Sequence, residues 1–325
     1  MVKPKVYVTR RLPQPALDRL EEVFEMEVNP EDRVLTREEL LENVKKCDVL
    51  LCLLTETIDG EIMDANPNLK GISNYAVGFN NIDVDAATER KLPVCNTPGV
   101  LTDTTADMAW TLMFAAARRV VESDVFIRAG KFKGWGPMMF LGCDIYGKTL
   151  GIVGAGRIGD AVARRTVGFN MKVLYYDVIP NEKLEQDIGA KRVELDELLQ
   201  EADFVTVHVP LMPQTTHFIS EREFKLMKKT AILINNSRGP VVDEKALIKA
   251  LKSGEIAYAG LDVFEDEPEL APGLAELDNV VLTPHTSSAT VETRTKMGML
   301  AAENAIAMIE GKRPPHIVNP EVLEG

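Results

Sequence analysis

Apolar and polar positions alternate along the first hundred residues with two different periods. Short runs of β-branched and other apolar residues predict strands at KVYVT, DVLLCLL, GISNYAV and LPVCN. Between these runs, apolar residues recur at helical spacing in PALDRLEEVF, TREELLENVKK and DVDAATER. A regular alternation of strand and helix is typical of a doubly wound parallel sheet.

A second series of the same kind follows. Its predicted strands are TLGIVG, MKVLYYD, DFVTVHVP, TAILINN, YAGLDV and NVVLTP, again with helical segments between them. Strands that are apolar at almost every position indicate a sheet covered on both faces. The sequence therefore predicts an α/β protein with two doubly wound parallel-sheet domains, Rossmann-like or flavodoxin-like, and a cleft between them.

Two helical segments mark the domain boundaries. One long helical pattern, from about Thr102 to Ala129, joins the two series. The other runs roughly from Val291 to Glu310, and the prolines of GKRPPHIVNP end it. We expect this last helix to pack back on the first domain. The first, substrate-binding domain would then consist of residues 1–101 and 288–325, and the dinucleotide-binding domain of residues 102–287.

Composition limits the possible partners. With 325 residues, 45% hydrophobic and 27% charged, the chain has the length and make-up of an ordinary two-domain globular protein. A net charge of −13 without a long basic run argues against binding nucleic acid. The chain has neither a signal-peptide core nor an apolar run long enough to cross a membrane, so we expect a cytoplasmic protein. The four cysteines form no CxxC pair, which favours reduced thiols over a zinc site.

A glycine-rich turn follows the first strand of the second series. Gly154, Gly156 and Gly159 form G-x-G-x-x-G where a helix is predicted to begin, a pattern that brings a backbone and a helix N-terminus against a pyrophosphate. Simple tight turns and folds that bind S-adenosylmethionine contain similar glycines, so these alternatives stay open. Arg157, inside the turn, is either a pyrophosphate contact or an exposed residue at the start of the helix.

The next strand ends in an acid, Asp177, at about the twenty-residue distance expected in dinucleotide-binding folds. Its carboxylate can accept hydrogen bonds from the ribose hydroxyls, and its charge would repel a 2′-phosphate. This favours NAD(H) over NADP(H). The competing interpretation is a strand-end carboxylate that caps the next turn.

Three further segments carry side chains suited to hydride-transfer chemistry. Arg238, Glu267 and His285 each come just after a predicted parallel strand, at the edge where ligands bind in such sheets. Histidine can donate a proton to a carbonyl oxygen that accepts hydride, a carboxylate can orient it, and arginine can bind an anionic substrate in a planar fork. Taken singly, Arg238 is more readily a surface cation, Glu267 a member of the acidic turn FEDEPE and His285 a structural histidine. Their joint placement favours a catalytic site.

From about residue 5 to residue 320 the chain resembles the D-isomer-specific 2-hydroxyacid dehydrogenase family, most nearly its glyoxylate/hydroxypyruvate reductase branch. The motifs that carry the resemblance occur in the order found in the family. They are VGFNNIDVDAATERKLPVCNTPGVLTDTTAD, GKTLGIVGAGRIG, HVPLMPQT, LINNSRGPVVDE, AGLDVFEDEP and VVLTPHTSSAT.

The resemblance implies the NAD(P)H-dependent reduction of glyoxylate or hydroxypyruvate to glycolate or D-glycerate. It implies that Arg238 binds and polarises the 2-oxo acid, that His285 is the acid/base and that Glu267 orients His285. It also assigns substrate contacts to three residues of the first domain, and further cofactor contacts to the second domain and to Ser288. The implied substrate contacts are Leu53 and the backbone N–H groups of Val77 and Gly78, and the implied cofactor contacts are Thr105, Ile158, His208, Pro210, Thr215, Asp262 and Ser288.

The resemblance further implies a homodimer built on the long helical region. Three alternatives remain at this stage. One is another D-2-hydroxyacid or phosphonate dehydrogenase, although phosphonate dehydrogenases have a lysine where Val77 stands. The second is a non-catalytic protein that senses NAD(H), like the co-repressors of the same family. The third is a methyltransferase that holds S-adenosylmethionine in the glycine turn.

Overall fold

The computed structural model describes residues 3–324. The chain forms two compact units. Unit 1 consists of Met1–Leu101 and Ser288–Gly325, and unit 2 of Thr102–Ser287. The chain thus leaves unit 1 once and returns to it once.

Unit 1 contains a parallel sheet of five strands in the order β2-β1-β3-β4-β5. The strands are β1 (Lys5–Val8), β2 (Glu25–Val28), β3 (Val49–Cys52), β4 (Gly71–Asn74) and β5 (Val94–Cys95). The helices are α1 (Gln14–Val23), α2 (Arg37–Val44), α3 (Gly60–Asp64), α4 (Val84–Glu89) and, from the end of the chain, α12 (Val291–Ile309).

Both faces of this sheet are covered, as strand β3 illustrates. Val49 and Leu51 pack in one apolar cluster with α1 and α12, whereas Leu50 and Cys52 pack in a second cluster that includes residues of α2, α3 and α4. All four side chains are fully buried. Because successive strand residues point to opposite faces, a strand buried on both sides must be apolar at every position.

Unit 2 contains a parallel sheet of seven strands in the order β12-β11-β10-β9-β6-β7-β8. The strands are β6 (Thr149–Val153), β7 (Lys172–Tyr176), β8 (Lys191–Arg192), β9 (Phe204–Val207), β10 (Ile232–Asn235), β11 (Tyr258–Leu261) and β12 (Val280–Leu282). The helices are α5 (Thr102–Ala117), α6 (Val120–Arg128), α7 (Arg157–Arg164), α8 (Glu182–Ile188), α9 (Leu195–Glu201), α10 (Glu221–Leu226) and α11 (Glu244–Ser253).

The strand order of unit 2 reverses direction at β6. This strand pairs with β7 on one side and with β9 on the other, so consecutive connections leave it towards opposite halves of the sheet. The glycine-rich turn follows β6 directly. It therefore occupies the topological switch point, where ligands bind in open parallel sheets.

The two edge strands β2 and β8 were not predicted from the sequence. Glutamates occupy alternate positions of β2, at Glu25 and Glu27, and β8 is the two-residue segment Lys191–Arg192, exposed at both positions. Edge strands tolerate such charges because one side of each faces no further strand. Their short length and charge leave no apolar run to detect.

The long helix predicted from Thr102 to Ala129 is two helices, α5 and α6. The break lies at Arg119, which has a left-handed backbone with φ +52°. At the end of α5 the carbonyl of Ala117 accepts a hydrogen bond from the N–H of Cys143 at 3.0 Å instead of continuing the helical ladder. A loop remote in sequence therefore ends the helix, which a local pattern does not reveal.

The four cysteines are free thiols, three of them buried and Cys143 half-buried. Burial raises the pKa of Cys47 and of Cys95 to about 12, so both stay protonated at neutral pH. Within residues 3–324, no group of three or more His, Cys, Asp and Glu side chains is arranged to hold a metal ion. Across the same residues, every helix is too short or too polar to traverse a lipid bilayer.

Candidate active site

The three residues predicted to carry the chemistry all lie in unit 2, beyond the carboxyl ends of neighbouring strands. Arg238 follows β10, Glu267 lies in the loop after β11, and His285 follows β12. These strands are adjacent and parallel in the sheet. Their carboxyl ends therefore bring the three segments to one edge.

His285 and Glu267 form a hydrogen-bonded pair. The imidazole Nδ1 lies 2.9 Å from Oε2 of Glu267, and Oε1 of the same carboxylate accepts a hydrogen bond from the N–H of Phe264 at 3.0 Å. Since an ionised carboxylate only accepts hydrogen bonds, Nδ1 must carry the hydrogen. The other ring nitrogen, Nε2, has no partner among residues 3–324, and the His285 side chain is 28% exposed. Nε2 is thus the nitrogen that can meet a substrate.

Opposing effects set the charge states of this group. Burial alone would raise the pKa of the Glu267 carboxyl, but its hydrogen bond to His285 and the charges of His285 and Arg238 outweigh burial, so the pKa lies below its ordinary value. Burial lowers the pKa of Arg238, and the negative charge of Glu267 partly opposes that shift. Glu267 is consequently an anion at neutral pH.

A buried carboxylate holds the loop that carries His285. Asp262 is fully buried, and its Oδ1 accepts hydrogen bonds from Oγ1 of Thr283 at 2.6 Å and from the N–H of Thr286 at 2.7 Å. Its Oδ2 accepts from the N–H of Ser287 at 2.8 Å and from the hydroxyl of Ser287. All these donors flank His285 in sequence, so Asp262 fixes the backbone on both sides of the histidine.

His285 itself has an unusual backbone. Its φ is +52°, in the left-handed region that residues other than glycine rarely adopt. Its N–H donates to the carbonyl of Asp262 at 2.9 Å and to that of Thr283 at 3.0 Å. A strained conformation persists only where surrounding contacts over-determine it, and here the bonds from and to Asp262 supply those contacts.

The loop that carries Glu267 is fixed in a similar way. Glu244 at the start of α11 is 2% exposed, and its Oε1 accepts a hydrogen bond from the N–H of Glu265 at 2.9 Å. Gly239, next to Arg238, packs so closely that an added Cβ would lie 1.8 Å from the carbonyl oxygen of Phe264. The turn after β10 and the loop after β11 therefore form one tightly packed block.

The glycine-rich turn leaves room for a phosphate. Gly156 is the N-cap of α7 with no side-chain capping bond, and a Cβ at this position would meet no atom within 4 Å. By contrast, a Cβ on Gly159 would lie 2.0 Å from the carbonyl oxygen of Gly154, so this glycine lets α7 pack against the turn. Arg157 is exposed and Ile158 half-buried at the start of the helix. Open space before the N–H groups of a helix N-terminus fits a dinucleotide pyrophosphate.

The carboxylate of Asp177 makes the capping bond that one of its two interpretations predicts. Its Oδ2 accepts a hydrogen bond from the N–H of Ala155 in the glycine turn at 2.7 Å, and its Oδ1 accepts from the N–H of Ile179 at 3.1 Å, which caps the following turn. The side chain stays partly exposed. Each carboxylate oxygen can accept more than one hydrogen bond, so the capping bond leaves acceptor capacity for a ribose.

The other predicted cofactor contacts of unit 2 lie in the segment after β9 and on helix α5. His208 follows β9 and bonds Oγ1 of Thr206 through Nε2 at 2.8 Å, and burial lowers its pKa to about 3, so it is neutral. Oγ1 of Thr215 donates to the carbonyl of Pro210 at 2.6 Å and closes that loop. Thr105, 4% exposed, begins the buried face of α5.

The predicted substrate contacts lie in unit 1. The N–H of Leu53 donates to Oε2 of the buried Glu56 at 2.8 Å. The backbone N–H groups of Val77 and Gly78 have no partner among residues 3–324, whereas both carbonyls of these residues accept side-chain hydrogen bonds. Ser288, the first residue of the second segment of unit 1, accepts a hydrogen bond from Nε of Arg294 through its carbonyl.

Sequence reasoning missed two residues that support the site. Asp262 was predicted only as a cofactor contact, although its side-chain bonds go to the loop of His285. Glu244 was not singled out at all. An acid directly after the last apolar residue of a buried strand was a signal for Asp262, but its partners lie more than twenty residues further along the chain.

The model of the NAD-binding domain of D-isomer-specific 2-hydroxyacid dehydrogenases matches residues 110–287. The chain is 54% identical over 326 residues to the glyoxylate reductase of Korarchaeum cryptofilum. This alignment covers 99% of this chain and 98% of that protein. Among solved structures, a protein from Thermus thermophilus superimposes with a TM-score of 0.90 at 44% identity, covering 97% of this chain and 99% of the other.

A further solved structure is the NADPH-dependent glyoxylate/hydroxypyruvate reductase of Sinorhizobium meliloti, in complex with NADP and malonate. It superimposes with a TM-score of 0.85 at 31% identity, covering 97% of both chains. The protein is an oxidoreductase that acts on 2-oxo or 2-hydroxy acids with a nicotinamide cofactor, and it belongs to the D-isomer-specific 2-hydroxyacid dehydrogenase family.

Proposed function

We propose that this protein reduces glyoxylate or hydroxypyruvate to glycolate or D-glycerate, with NADH as the preferred cofactor. The observation that carries the proposal is the hydrogen-bonded pair of His285 and Glu267, with Arg238 on the adjoining strand end of the dinucleotide-binding unit. The names of the relatives support glyoxylate as a substrate.

Each residue has a distinct role in the proposed reaction. The bound nicotinamide supplies the hydride that adds to the carbonyl carbon. Arg238 binds the carboxylate and polarises the oxo group, because its planar guanidinium can donate several parallel hydrogen bonds. Nε2 of His285 donates the proton that the carbonyl oxygen takes up as the hydride arrives. Glu267 accepts the hydrogen bond of Nδ1–H and so directs Nε2 towards the carbonyl oxygen.

The substrate carboxylate also binds to the backbone N–H groups of Val77 and Gly78. Leu53 contacts the remainder of the substrate. Two observations support this assignment. The N–H groups have no partner among the described residues of the chain, and Val77 and Gly78 are partly exposed. An anion would satisfy these donors, which otherwise bond only to water.

Replacement of Arg238 tests the proposed activity. Wild-type protein should oxidise NADH with glyoxylate, and Arg238→Ala should lower kcat/KM by at least about a hundredfold because the substrate loses its bidentate partner. NADH affinity, measured by fluorescence titration, should stay unchanged. Arg222→Ala, which removes an exposed arginine of the same unit, should leave turnover unaltered.

Turnover of Arg238→Ala at the wild-type rate would remove this arginine from the mechanism. Wild-type protein that binds NADH tightly but does not turn over glyoxylate, hydroxypyruvate or pyruvate would contradict the proposed enzymatic activity. It would favour a protein that senses NAD(H).

The preference for NADH rests on Asp177. Its carboxylate accepts hydrogen bonds from the ribose hydroxyls and repels a 2′-phosphate. Close by, the guanidinium of Arg192 donates to the carbonyl of Asp177 at 2.8 Å. Once the carboxylate is removed, this arginine is a cation available to a 2′-phosphate.

Asp177→Ser should therefore shift the ratio of kcat/KM for NADPH to that for NADH by at least about tenfold towards NADPH, the effect of losing hydrogen bonds to a charged group. The ratio is the proper readout, because Asp177 also accepts a hydrogen bond from Ala155 of the glycine turn and the loss of that bond affects both cofactors alike. Asp177→Ser combined with Arg192→Ala should lose most of the shift, and Asp187→Ser, at an exposed carboxylate, should show none. An unchanged ratio in Asp177→Ser would contradict this role.

The homodimer is proposed to form on helix α6 and the segment that follows it. This helix has no buried residue although five of its nine residues are apolar, and exposed apolar patches mark interaction sites. A second copy of the chain would cover it. The exposed side chains that form this surface are Val120, Val121, Val125, Ile127, Phe132, Trp135, Met138, Met139 and Leu141.

Val125→Glu should dissociate the dimer, because the residue is 60% exposed and a charge there would be buried against the partner. Light scattering after gel filtration should give twice the chain mass for wild-type protein and the chain mass for the variant. Val291→Glu, at an even more exposed valine of α12, should remain dimeric. A monomeric wild-type protein, or a dimeric Val125→Glu, would rule out this interface.

A further inference from the structure

Three consecutive carbonyls of the proposed substrate loop are each held by a hydrogen bond. The carbonyl of Ala76 accepts from the backbone N–H of Thr97 at 2.8 Å. The carbonyl of Val77 accepts from Nδ2 of Asn96 at 2.7 Å. The next carbonyl, that of Gly78, accepts from Nδ2 of Asn74 at 2.9 Å. All of these donors belong to unit 1.

Fixing a carbonyl also fixes the N–H of the same peptide. A trans peptide is planar, and its C=O and N–H point in opposite directions. The bond from Thr97 therefore aims the N–H of Val77, and the bond from Asn96 aims the N–H of Gly78. These are the two N–H groups without a partner among the described residues. The two carbonyls thus face their partners within unit 1, and the N–H groups of Val77 and Gly78 point away from those partners.

Asn96 is itself held on both sides. Its N–H donates to the carbonyl of His316 at 3.2 Å, and its carbonyl accepts from Nδ2 of Asn304 at 2.9 Å. Asn304 is fully buried on α12, and its Oδ1 accepts from the N–H of His316 at 3.1 Å. A chain of bonds therefore connects the core of unit 1, through one asparagine side chain, to the peptide that carries the N–H of Gly78.

We propose that Asn96 is a positioning residue for substrate binding: it orients the Gly78 N–H towards the carboxylate of the 2-oxo acid without touching the substrate. The inference rests on the proposed function, because it takes Val77 and Gly78 as the carboxylate site. Loss of the Asn96 side-chain amide frees the Val77–Gly78 peptide to rotate, so the affinity for the substrate carboxylate falls. His285, the proposed proton donor in unit 2, is unaffected.

Oxalate, an unreactive dicarboxylate, reports this affinity without turnover. In titrations of the NADH-bound protein, Asn96→Ala should bind oxalate about tenfold more weakly than wild type, the effect of one lost hydrogen bond to an anion. The KM for glyoxylate should rise to a similar extent, with kcat and NADH affinity within about twofold of wild type. Asn96→Asp, which keeps the size but cannot donate, should also weaken oxalate binding and provides a second variant if Asn96→Ala folds poorly.

Asn66→Ala is the matched control. This buried asparagine of unit 1 also donates to backbone carbonyls, those of Val44 and Cys47, at 2.8 and 2.7 Å, but on a different loop. It should lower thermal stability without changing oxalate affinity. Unchanged oxalate affinity in both Asn96 variants, or an equal loss in Asn66→Ala, would overturn the inference, as would wild-type protein that binds no oxalate. Wild-type protein that binds oxalate but reduces no 2-oxo acid would instead contradict the proposed function.

Discussion

The proposed active site depends on one buried carboxylate, Asp262, whose two oxygens accept hydrogen bonds from the residues on either side of His285. A buried charge is costly unless nearby donors satisfy it, and here those donors all come from a single loop. Burial of Asp262 is therefore favourable only when the loop has this conformation. The left-handed backbone of His285 and the direction of its ring follow from that constraint.

The same device occurs again in the neighbouring loop, where buried Glu244 accepts a hydrogen bond from the backbone N–H of Glu265, two residues before Glu267. Both members of the histidine–carboxylate pair are thus held through their backbones, not only through the bond between them. A catalytic pair must be held to within a fraction of an ångström, and such supporting bonds supply that precision. In unit 1, asparagine amides hold the carbonyls of the loop around Val77 and Gly78 in a comparable way.

Much of this architecture could be predicted from the sequence, because the relevant signals are local. Strands buried on both faces are apolar at every position, as in β3, and the glycine spacing at Gly154, Gly156 and Gly159 reflects packing and open space at one turn. The charged edge strand β8 and the break at Arg119 could not be predicted. The first has no apolar run, and the second depends on Cys143, which is far from Ala117 in sequence.

The placement of the proposed chemical residues could be predicted for a similar reason: Arg238, Glu267 and His285 each follow a predicted parallel strand, and the carboxyl ends of such strands lie at one edge of the sheet. The supporting residues could not, since each acts through hydrogen bonds to residues distant in sequence. Asp262 and Asn96 look like an ordinary strand-end acid and an ordinary loop amide until their partners are known. Sequence patterns thus indicate which groups are candidates for the chemistry, whereas the structure indicates which residues hold those groups in place.

The central claim is that Nε2 of His285 delivers the proton while Glu267 holds Nδ1–H and so fixes the direction of the ring. The kcat of Glu267→Ala with glyoxylate tests it most directly, with Glu265→Gln as control, because the Glu265 carboxylate pairs with the exposed His217 and not with His285. Glu267→Ala should lower kcat at least about tenfold while NADH affinity stays unchanged, since the ring loses the partner that orients its proton-donating nitrogen, and Glu265→Gln should keep the wild-type kcat. A wild-type kcat in Glu267→Ala would contradict the account.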